Sequence, residues 1–239
     1  MKYLDLSFPT PAQNLACDEV LLDGSEERND LEILRVWDPD QHFVVLGYAN
    51  KASREADLEA CRELNVPVLR RCSGGGTILQ GPGCLNYSLI LRIDEHRPVA
   101  TIAGANSFIM RAHQEALASI LREKVSIEGH TDLAIGGLKF SGNAQRRKRR
   151  FLLFHGSFLL NFDLSLVEKV LSMPSKQPSY RRHRSHVEFL MNLKLPPRTV
   201  KDALRKIWSV REVLDVVPSD EIVRLEREKY SQDDWTFRF

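Results

Sequence analysis

The chain has 239 residues, 43% hydrophobic and 28% charged, a composition that excludes a disordered or fibrous protein and allows a real core in one large domain or two small ones. The formal net charge of +2 implies no strong overall field, although Arg146, Arg147, Lys148, Arg149 and Arg150 run together and Arg181, Arg182, His183 and Arg184 form a second basic cluster. No apolar stretch is long enough to span a bilayer, no basic-then-apolar leader opens the chain, and the four cysteines (Cys17, Cys61, Cys72 and Cys84) match no zinc spacing and form no C-x-x-C, so a reduced, soluble, cytoplasmic protein is expected.

In chain order, Tyr3 to Leu6 reads as a short strand. Thr10 and Pro11 look like a cap and a first-turn proline, and Asn14 to Leu22 as the helix that follows. LEILRVW (31–37) and HFVVLGY (42–48) are strand-like and separated by the turn signal DPDQ. Residues 54–64 have helical spacing, VPVLRR (66–71) is a strand leading into a glycine run, and LNYSLILRI (85–93) is an apolar, hence central, strand. Across 99–122, Ala105, Ile109, Ala112, Ala116 and Ile120 draw one helical stripe. TDLAI (131–135) and LKF (138–140) flank Gly136-Gly137, a hairpin signal. FLLFHGSFLLNF (151–162) is a strand with a bend expected at Gly156. Helical patterns follow at 164–171, 200–208 and 219–230, and the loop 174–185 is the expected mobile segment. Strands come in consecutive runs, not in βαβ alternation, so the expected class is α+β.

Three stretches carry chemistry. RRCSGGGTILQGPGCLN (70–86) fails the phosphate-loop and dinucleotide patterns, because no G-K-[ST] follows and no G-x-G-x-x-G occurs. Its bare backbone would still let an anion approach closely. GHTDLAIGGLKFSGNAQ (129–145) places Lys139 between Leu138 and Phe140, so on an alternating strand the ammonium either enters a cleft or lies on an exposed face. HGSFLLNFDL (155–164) puts His155 in an apolar strand, where it is either a satisfied structural histidine or a catalytic one. Arg70 and Arg71 read as surface charges or as phosphate ligands. The basic run 146–150 reads as a solvated turn or as a docking patch for an acidic partner. Both basic runs lack interleaved aromatics, and no nucleic-acid partner is expected.

Taken together, these motifs resemble those of lipoate–protein ligases. RRCSGGG is similar to the family's RRxSGGG signature, DLAIGGLKFSGNA to its N-D-L and K-x-S-G-x-A elements, and HGSFLLNFD to its HGTLLLN-x-D; RVWDPDQHFVVLGYAN resembles its first strand pair. The resemblance spans residues from about 10 to about 195 and implies a class II biotin/lipoate ligase-like catalytic domain, with mixed and antiparallel sheets flanked by helices, over 1–198, followed by a short helical extension over 199–239. It further implies activation of lipoic acid by ATP and Mg2+ to lipoyl-AMP. The acyl group then passes to a lysine of a lipoyl-domain or glycine-cleavage H-like acceptor protein. Many relatives carry an accessory domain, so a separate accessory chain is a further expected partner; no membrane partner is.

The resemblance makes Lys139 the catalytic cation between carboxylate and α-phosphate. Arg70, Arg71, Ser73, Gly74, Gly75, Gly76, Gln80, Asp132, Ser141, Gly142, Ala144, His155 and Gly156 become the substrate and adenylate contacts, with Asp132 also the Mg2+ ligand. Leu79, Leu85, Tyr87 and Leu133 are candidates for an acyl tunnel. Gln80 stands where the family commonly has histidine, and Thr131 where it has asparagine. The competing readings are a transferase of the same fold, using preformed lipoyl-AMP or an acyl-carrier donor, and a non-catalytic ligase-like protein. Cysteine-dependent transferases of this fold form a thioester, and here no cysteine follows Cys84.

Overall fold

The computed structural model describes residues 1–28, 31–174 and 176–239. Ser175, within the segment expected to be mobile, lies outside the described residues. Strands β1 (Lys2–Asp5), β2 (Ile33–Trp37) and β3 (Phe43–Leu46) surround the long helix α1 (Pro11–Arg28) in sequence. Short helices α2 (Ala52–Glu55) and α3 (Leu58–Glu63) lead to β4 (Val68–Arg70), β5 (Ile78–Gln80) and β6 (Cys84–Arg92). After α4 (Ile102–Ala118) come β7 (Val125–Glu128), β8 (Asp132–Ile135), β9 (Leu138–Arg147) and β10 (Phe151–Leu159). The rest is α5 (Leu164–Val170), α6 (His186–Phe189), α7 (Pro197–Ile207), β11 (Glu212–Val213), α8 (Ser219–Leu225) running into a π-helical turn (Glu226–Tyr230), and α9 (Asp233–Thr236).

The expected α+β class holds. An eight-stranded mixed sheet has the order β11-β1-β2-β6-β10-β9-β8-β7, and a small sheet has the order β4-β3-β5. In the large sheet β11, β1 and β2 run parallel, and every pairing from β2 to β7 is antiparallel. Period-two alternation decides what each face carries. Leu152, Phe154 and Phe158 of β10 join Leu85, Tyr87 and Leu89 of β6 in a core that also holds Ile109 of α4 and Leu204 of α7. Phe151 and Leu153 turn to the other face, where Leu15, Val20 and Leu22 of α1 cover them. A third cluster lies beneath the small sheet, with Val44, Cys61, Leu79 and Val170.

Several elements differ from the sequence reading. Helix α1 continues past Gly24 to Arg28, because Asp23 pairs with Lys148 at 2.6 Å and Glu26 accepts the Phe151 N–H at 2.9 Å. Those ties outweigh the roughly 1 kcal/mol helix penalty of glycine. The helix expected over 54–64 breaks in two. Asp57 stops one helix and caps the next by accepting the Glu59 and Ala60 N–H groups at 3.1 and 3.0 Å. Strand β10 runs straight through Gly156, where a bend was expected. The segment 199–239 adds β11 beside β1 and buries Ile222 and Tyr230 against α1. Among the described residues no helix is long and apolar enough to cross a membrane.

Candidate active site

The large sheet's register assembles the site. Arg35 of β2 faces Ser88 of β6, Ser88 faces His155 of β10, and His155 faces Ala144 of β9, so one row of side chains crosses four strands. Above that row, α1 lowers Asp18. Its carboxylate accepts from Arg35 Nη1 at 2.7 Å, from Ser88 Oγ at 2.7 Å and meets His155 Nδ1 at 3.0 Å. Burial pushes the Asp18 carboxyl up, but the His155 hydrogen bond and the Arg35 charge pull harder, and the net direction is below the ordinary value. Arg35 is itself wholly buried, also bound to Asn14 and stacked near Trp37. The Nδ1–H of His155 donates to Asp18, which leaves Nε2 as acceptor for the Ser73 hydroxyl at 2.6 Å.

A cavity of about 510 Å3 opens beside this row. Asp18, Arg71, Gly76, Gln80, Asp132, Lys139, Ser141, Gly142, Ala144, His155 and Gly156 all line it. Its apolar wall includes Trp37, Ile78, Leu79, Phe140, Phe162 and Phe189. Of the tunnel candidates Leu79 and Tyr87 reach it, whereas Leu85 and Leu133 belong to the core beneath α4.

Lys139 sits beside a β-bulge in the β8–β9 pairing and pairs with Asp132 at 2.8 Å. Both groups are mostly but not wholly buried, at 23% and 14% side-chain exposure, so solvent still reaches the pair. Asp132's other oxygen accepts the Tyr180 hydroxyl at 2.7 Å. Burial first, then the Asp132 charge, pushes the Tyr180 phenol far up, which keeps it a donor. Gly142 makes room for the ammonium, since a Cβ there would lie 2.8 Å from Lys139 Nζ. Asp132 therefore already uses both oxygens on protein partners. Among the described residues no cluster of three or more His, Cys, Asp or Glu side chains offers a metal cage. A Mg2+ ion commonly binds through one or two carboxylates plus substrate phosphates, a demand one carboxylate can meet.

The glycine loop is organised by Arg71. Its guanidinium donates to Gly74 O at 2.6 Å, Gly76 O at 2.7 Å and Ser73 Oγ at 3.0 Å. Desolvation lowers its pKa to about 10, so it is still a cation at neutral pH. Because the peptide unit is trans and planar, a Gly74 carbonyl aimed at Arg71 turns the Gly75 N–H away from it. Among the described residues the N–H groups of Gly74, Gly75 and Gly76 have no hydrogen-bond acceptor. A Cβ added to Gly74 or Gly76 would meet nothing within 4 Å.

Arg70 does not reach the cavity, against the expectation of a ligand contact. Its guanidinium is spent on carbonyls: Gly47, Tyr48 and Asn50 at 2.8 to 2.9 Å, and Thr236 at 2.6 Å. It anchors the C-terminal helix α9 to the small sheet. The basic run 146–150 is likewise mostly paired. Arg146 holds Cys72 O at 2.8 Å, Arg147 holds Ala100 O at 2.8 Å, Lys148 pairs with Asp23, and Arg150 with Glu26. Only part of that charge is left to meet a partner.

Gly156 has a specific task. It lies between Tyr87 and Asn143 in the register, and a Cβ there would stand 1.8 Å from Asn143 Oδ1. Asn143 uses the gap to accept the Tyr87 hydroxyl at 2.5 Å and to donate to Thr131 O. Gly156→Ala is expected to expel Asn143 and cost about 1–3 kcal/mol, as overpacking does. Thermal unfolding of the variant checks this; an unchanged Tm would contradict it.

Sequence reasoning missed Asp18, Arg35, Ser88, Asn143 and Tyr180. One signal was available: Asp18-Glu19 interrupts the apolar run of α1. Both carboxylates are buried and partnered, Glu19 by Lys229 at 2.6 Å and Tyr230 at 2.7 Å.

A family model described as "Lipoyl protein ligase A/B catalytic domain" matches residues 10–209. The octanoyltransferase LipM of Carboxydothermus hydrogenoformans is 25% identical to the chain, over all of this chain and 98% of the relative. Among solved structures, the bi-partite lipoate protein ligase of Thermoplasma acidophilum, described with its E2 lipoyl domain, superposes with a TM-score of 0.83 at 24% identity, covering 99% of this chain and 95% of the other. A lipoate-protein ligase A bound with ATP gives a TM-score of 0.79 at 24% identity, over 99% and 98% of the two chains.

Proposed function

The chain belongs to the lipoyl protein ligase A/B catalytic-domain family, and on that premise we propose that it activates lipoate with ATP to lipoyl-AMP and passes the lipoyl group to a lysine of a lipoyl-domain or glycine-cleavage H-like acceptor. The observation that carries this reading is the Lys139–Asp132 pair inside the cavity while every thiol lies outside it. All four cysteines are buried. Burial pushes Cys17, Cys72 and Cys84 up to about 12 and raises Cys61 as well. A thioester route needs an accessible thiolate, and an adenylate route does not.

Activation joins a carboxylate oxygen to the α-phosphorus of ATP while the α–β phosphoanhydride bond breaks and pyrophosphate leaves, and it brings together two anions that repel. Lys139 supplies a cation where they meet, and Asp132 with Tyr180 fixes its direction. The unpartnered N–H groups of Gly74 to Gly76 are donors for phosphate oxygens. Asp132 is also the carboxylate that would face a Mg2+ ion arriving with ATP, an ion that offsets phosphate charge. The apolar wall suits the aliphatic chain of lipoate. The acceptor amine then attacks the carbonyl carbon and AMP leaves. The neighbour solved with ATP and the neighbour described with its lipoyl domain support the same assignment, and the bi-partite description supports an accessory chain as partner.

The end-to-end likeness to an octanoyltransferase favours a second reading, acyl transfer without ATP. Intact mass of an apo lipoyl acceptor separates the two. The expected result is lipoyl addition with lipoate, ATP and Mg2+, none without ATP, and addition from preformed lipoyl-AMP alone. Modification by an octanoyl thioester without ATP would replace the first reading by the second. Replacing any of the four cysteines by alanine is expected to leave ATP-dependent transfer unchanged. Loss of transfer in one of them, with the fold intact, would restore a thioester route.

A further inference from the structure

The Asp132–Lys139 pair spans a place where the large sheet is interrupted. β8 and β9 pair at Ile135–Leu138 and Ala134–Lys139, then slip at a bulge, and among the described residues Leu133–Ser141 is their last paired position. Asp132 lies one residue beyond it and pairs with Glu128 of β7 on its other side. The bulge places Phe140 as the extra residue of β9, between Lys139 and Ser141. A bulge bends its strand, and a ladder that has just ended leaves the next residue free to splay. Backbone pairing between β8 and β9 therefore does not fix Asp132 against Lys139.

Two side chains continue the ladder where the backbone stops. Thr131 Oγ1 donates to Asn143 O at 3.2 Å, and Asn143 Nδ2 donates to Thr131 O. These residues flank the ion pair: Thr131 precedes Asp132, and Asn143 follows Gly142, whose missing Cβ makes room for the Lys139 ammonium. Asn143 is held in turn from the core. Its Oδ1 accepts the Tyr87 hydroxyl, and burial pushes that phenol well above its ordinary value, so it stays a donor. The His113 ring meets Tyr87 edge-on with centroids 4.6 Å apart, and its Nε2 accepts the Trp208 indole N–H at 3.1 Å. Burial pushes His113 down to about 3, which keeps the imidazole neutral and Nε2 an acceptor. Tyr87 and His113 are wholly buried, so the line from the end of α7 to Asn143 is rigidly packed.

We propose that Asn143 is a positioning residue: by tying Thr131 to β9 it sets where the Asp132 carboxylate stands against the Lys139 ammonium, and so where that cation lies in the cavity. Asn143 borders the cavity, but both ends of its amide are engaged, Oδ1 by Tyr87 and Nδ2 by Thr131 O and Met110 Sδ. Its influence passes through Asp132 and Lys139. The effect on rate rests on the adenylation reading, whereas the effect on the Lys139 environment does not.

ATP–pyrophosphate exchange and competitive acetylation of lysines, read by peptide mass without ATP, test the two parts separately. Asn143→Ala is expected to lower the kcat of exchange by about a hundredfold, the size of a misplacement of about 1 Å, with KM for ATP and lipoate little changed. Thr131→Val is expected to lower it less, because one of the two ties remains, and Thr131→Ser to restore it. On a Lys139→Ala background Asn143→Ala should add almost nothing, since the group it places is gone. A merely structural loss would multiply through. Relative to the other lysines, Lys139 of Asn143→Ala is expected to be acetylated about two- to fivefold faster, the rate equivalent of releasing a partly hydrated ion pair. If Asn143→Ala fails to fold, Thr131→Val is read in both assays. Equal acetylation of Lys139 in parent and folded variant, an unchanged kcat, or an equal loss on the Lys139→Ala background would overturn the proposal. A parent chain with no exchange would remove the adenylation reading instead and leave the acetylation result to decide.

Discussion

Lys139→Ala is expected to lower lipoyl-AMP formation by about a thousandfold, the upper range for removing one preorganised electrostatic donor. Lys139 is the ammonium in the cavity paired with a carboxylate that a second residue also holds. Removing it leaves Asp132 facing an incoming anion, so repulsion is added to the lost attraction. Stability should change little, because the pair is partly hydrated and such pairs contribute about 0–1 kcal/mol. ATP–pyrophosphate exchange measures the first effect and thermal unfolding the second. Transfer from preformed lipoyl-AMP should suffer less than its synthesis, because the two anions have already been joined. Unchanged exchange in Lys139→Ala would remove the adenylation reading. A Tyr180→Phe variant reports on direction alone, since it frees one Asp132 oxygen and keeps the ammonium.

How much of this was legible beforehand follows from what each residue depends on. Strands β6 and β10 and the hairpin at Gly136-Gly137 follow from local pattern, and the structure places φ at 58° and 78° on those two glycines, where side chains are disfavoured. The residues of the glycine motif, Lys139 and His155 were readable as motifs. Their partners were not. Asp18 reaches His155 across 137 positions and Arg35 across 17; only the strand register shows that Arg35 and His155 share one face, and only the packing of α1 brings Asp18 onto it. Arg70 and Arg71 show the same limit in adjacent positions. Alternation sends Arg71 under the glycine loop and Arg70 to the chain's last helix, but a sequence cannot say which of two neighbours faces the cleft. The partners of the basic run were hidden for a related reason: Asp23 and Glu26, which pair with Lys148 and Arg150, come from the end of a helix that the sequence reading stopped short.

The same buried row sets the second large effect, on stability. Arg35→Met removes the cation from a pair whose side chains are 0% and 4% exposed. Breaking a buried pair by deleting one partner costs about 3–5 kcal/mol, because the remaining charge has no compensation. Asp18 would keep Ser88 and His155 but lose its strongest countercharge, and Asn14 would lose a donor at 2.6 Å. The pH dependence fixes the sign. With its pKa depressed in the native state, Asp18 stabilises the fold fully above its unfolded value near 4, and that contribution is lost as pH falls through the lower native value. In Arg35→Met the native value rises, so acid unfolding should begin at higher pH than in the parent chain. Adding Asp18→Asn removes the stranded charge and should restore part of the loss. Urea midpoints across pH 3 to 7 test all three statements. If Arg35→Met unfolds at the parent's midpoint, the buried row is not what holds α1 to the sheet, and the alignment of His155 must come from elsewhere.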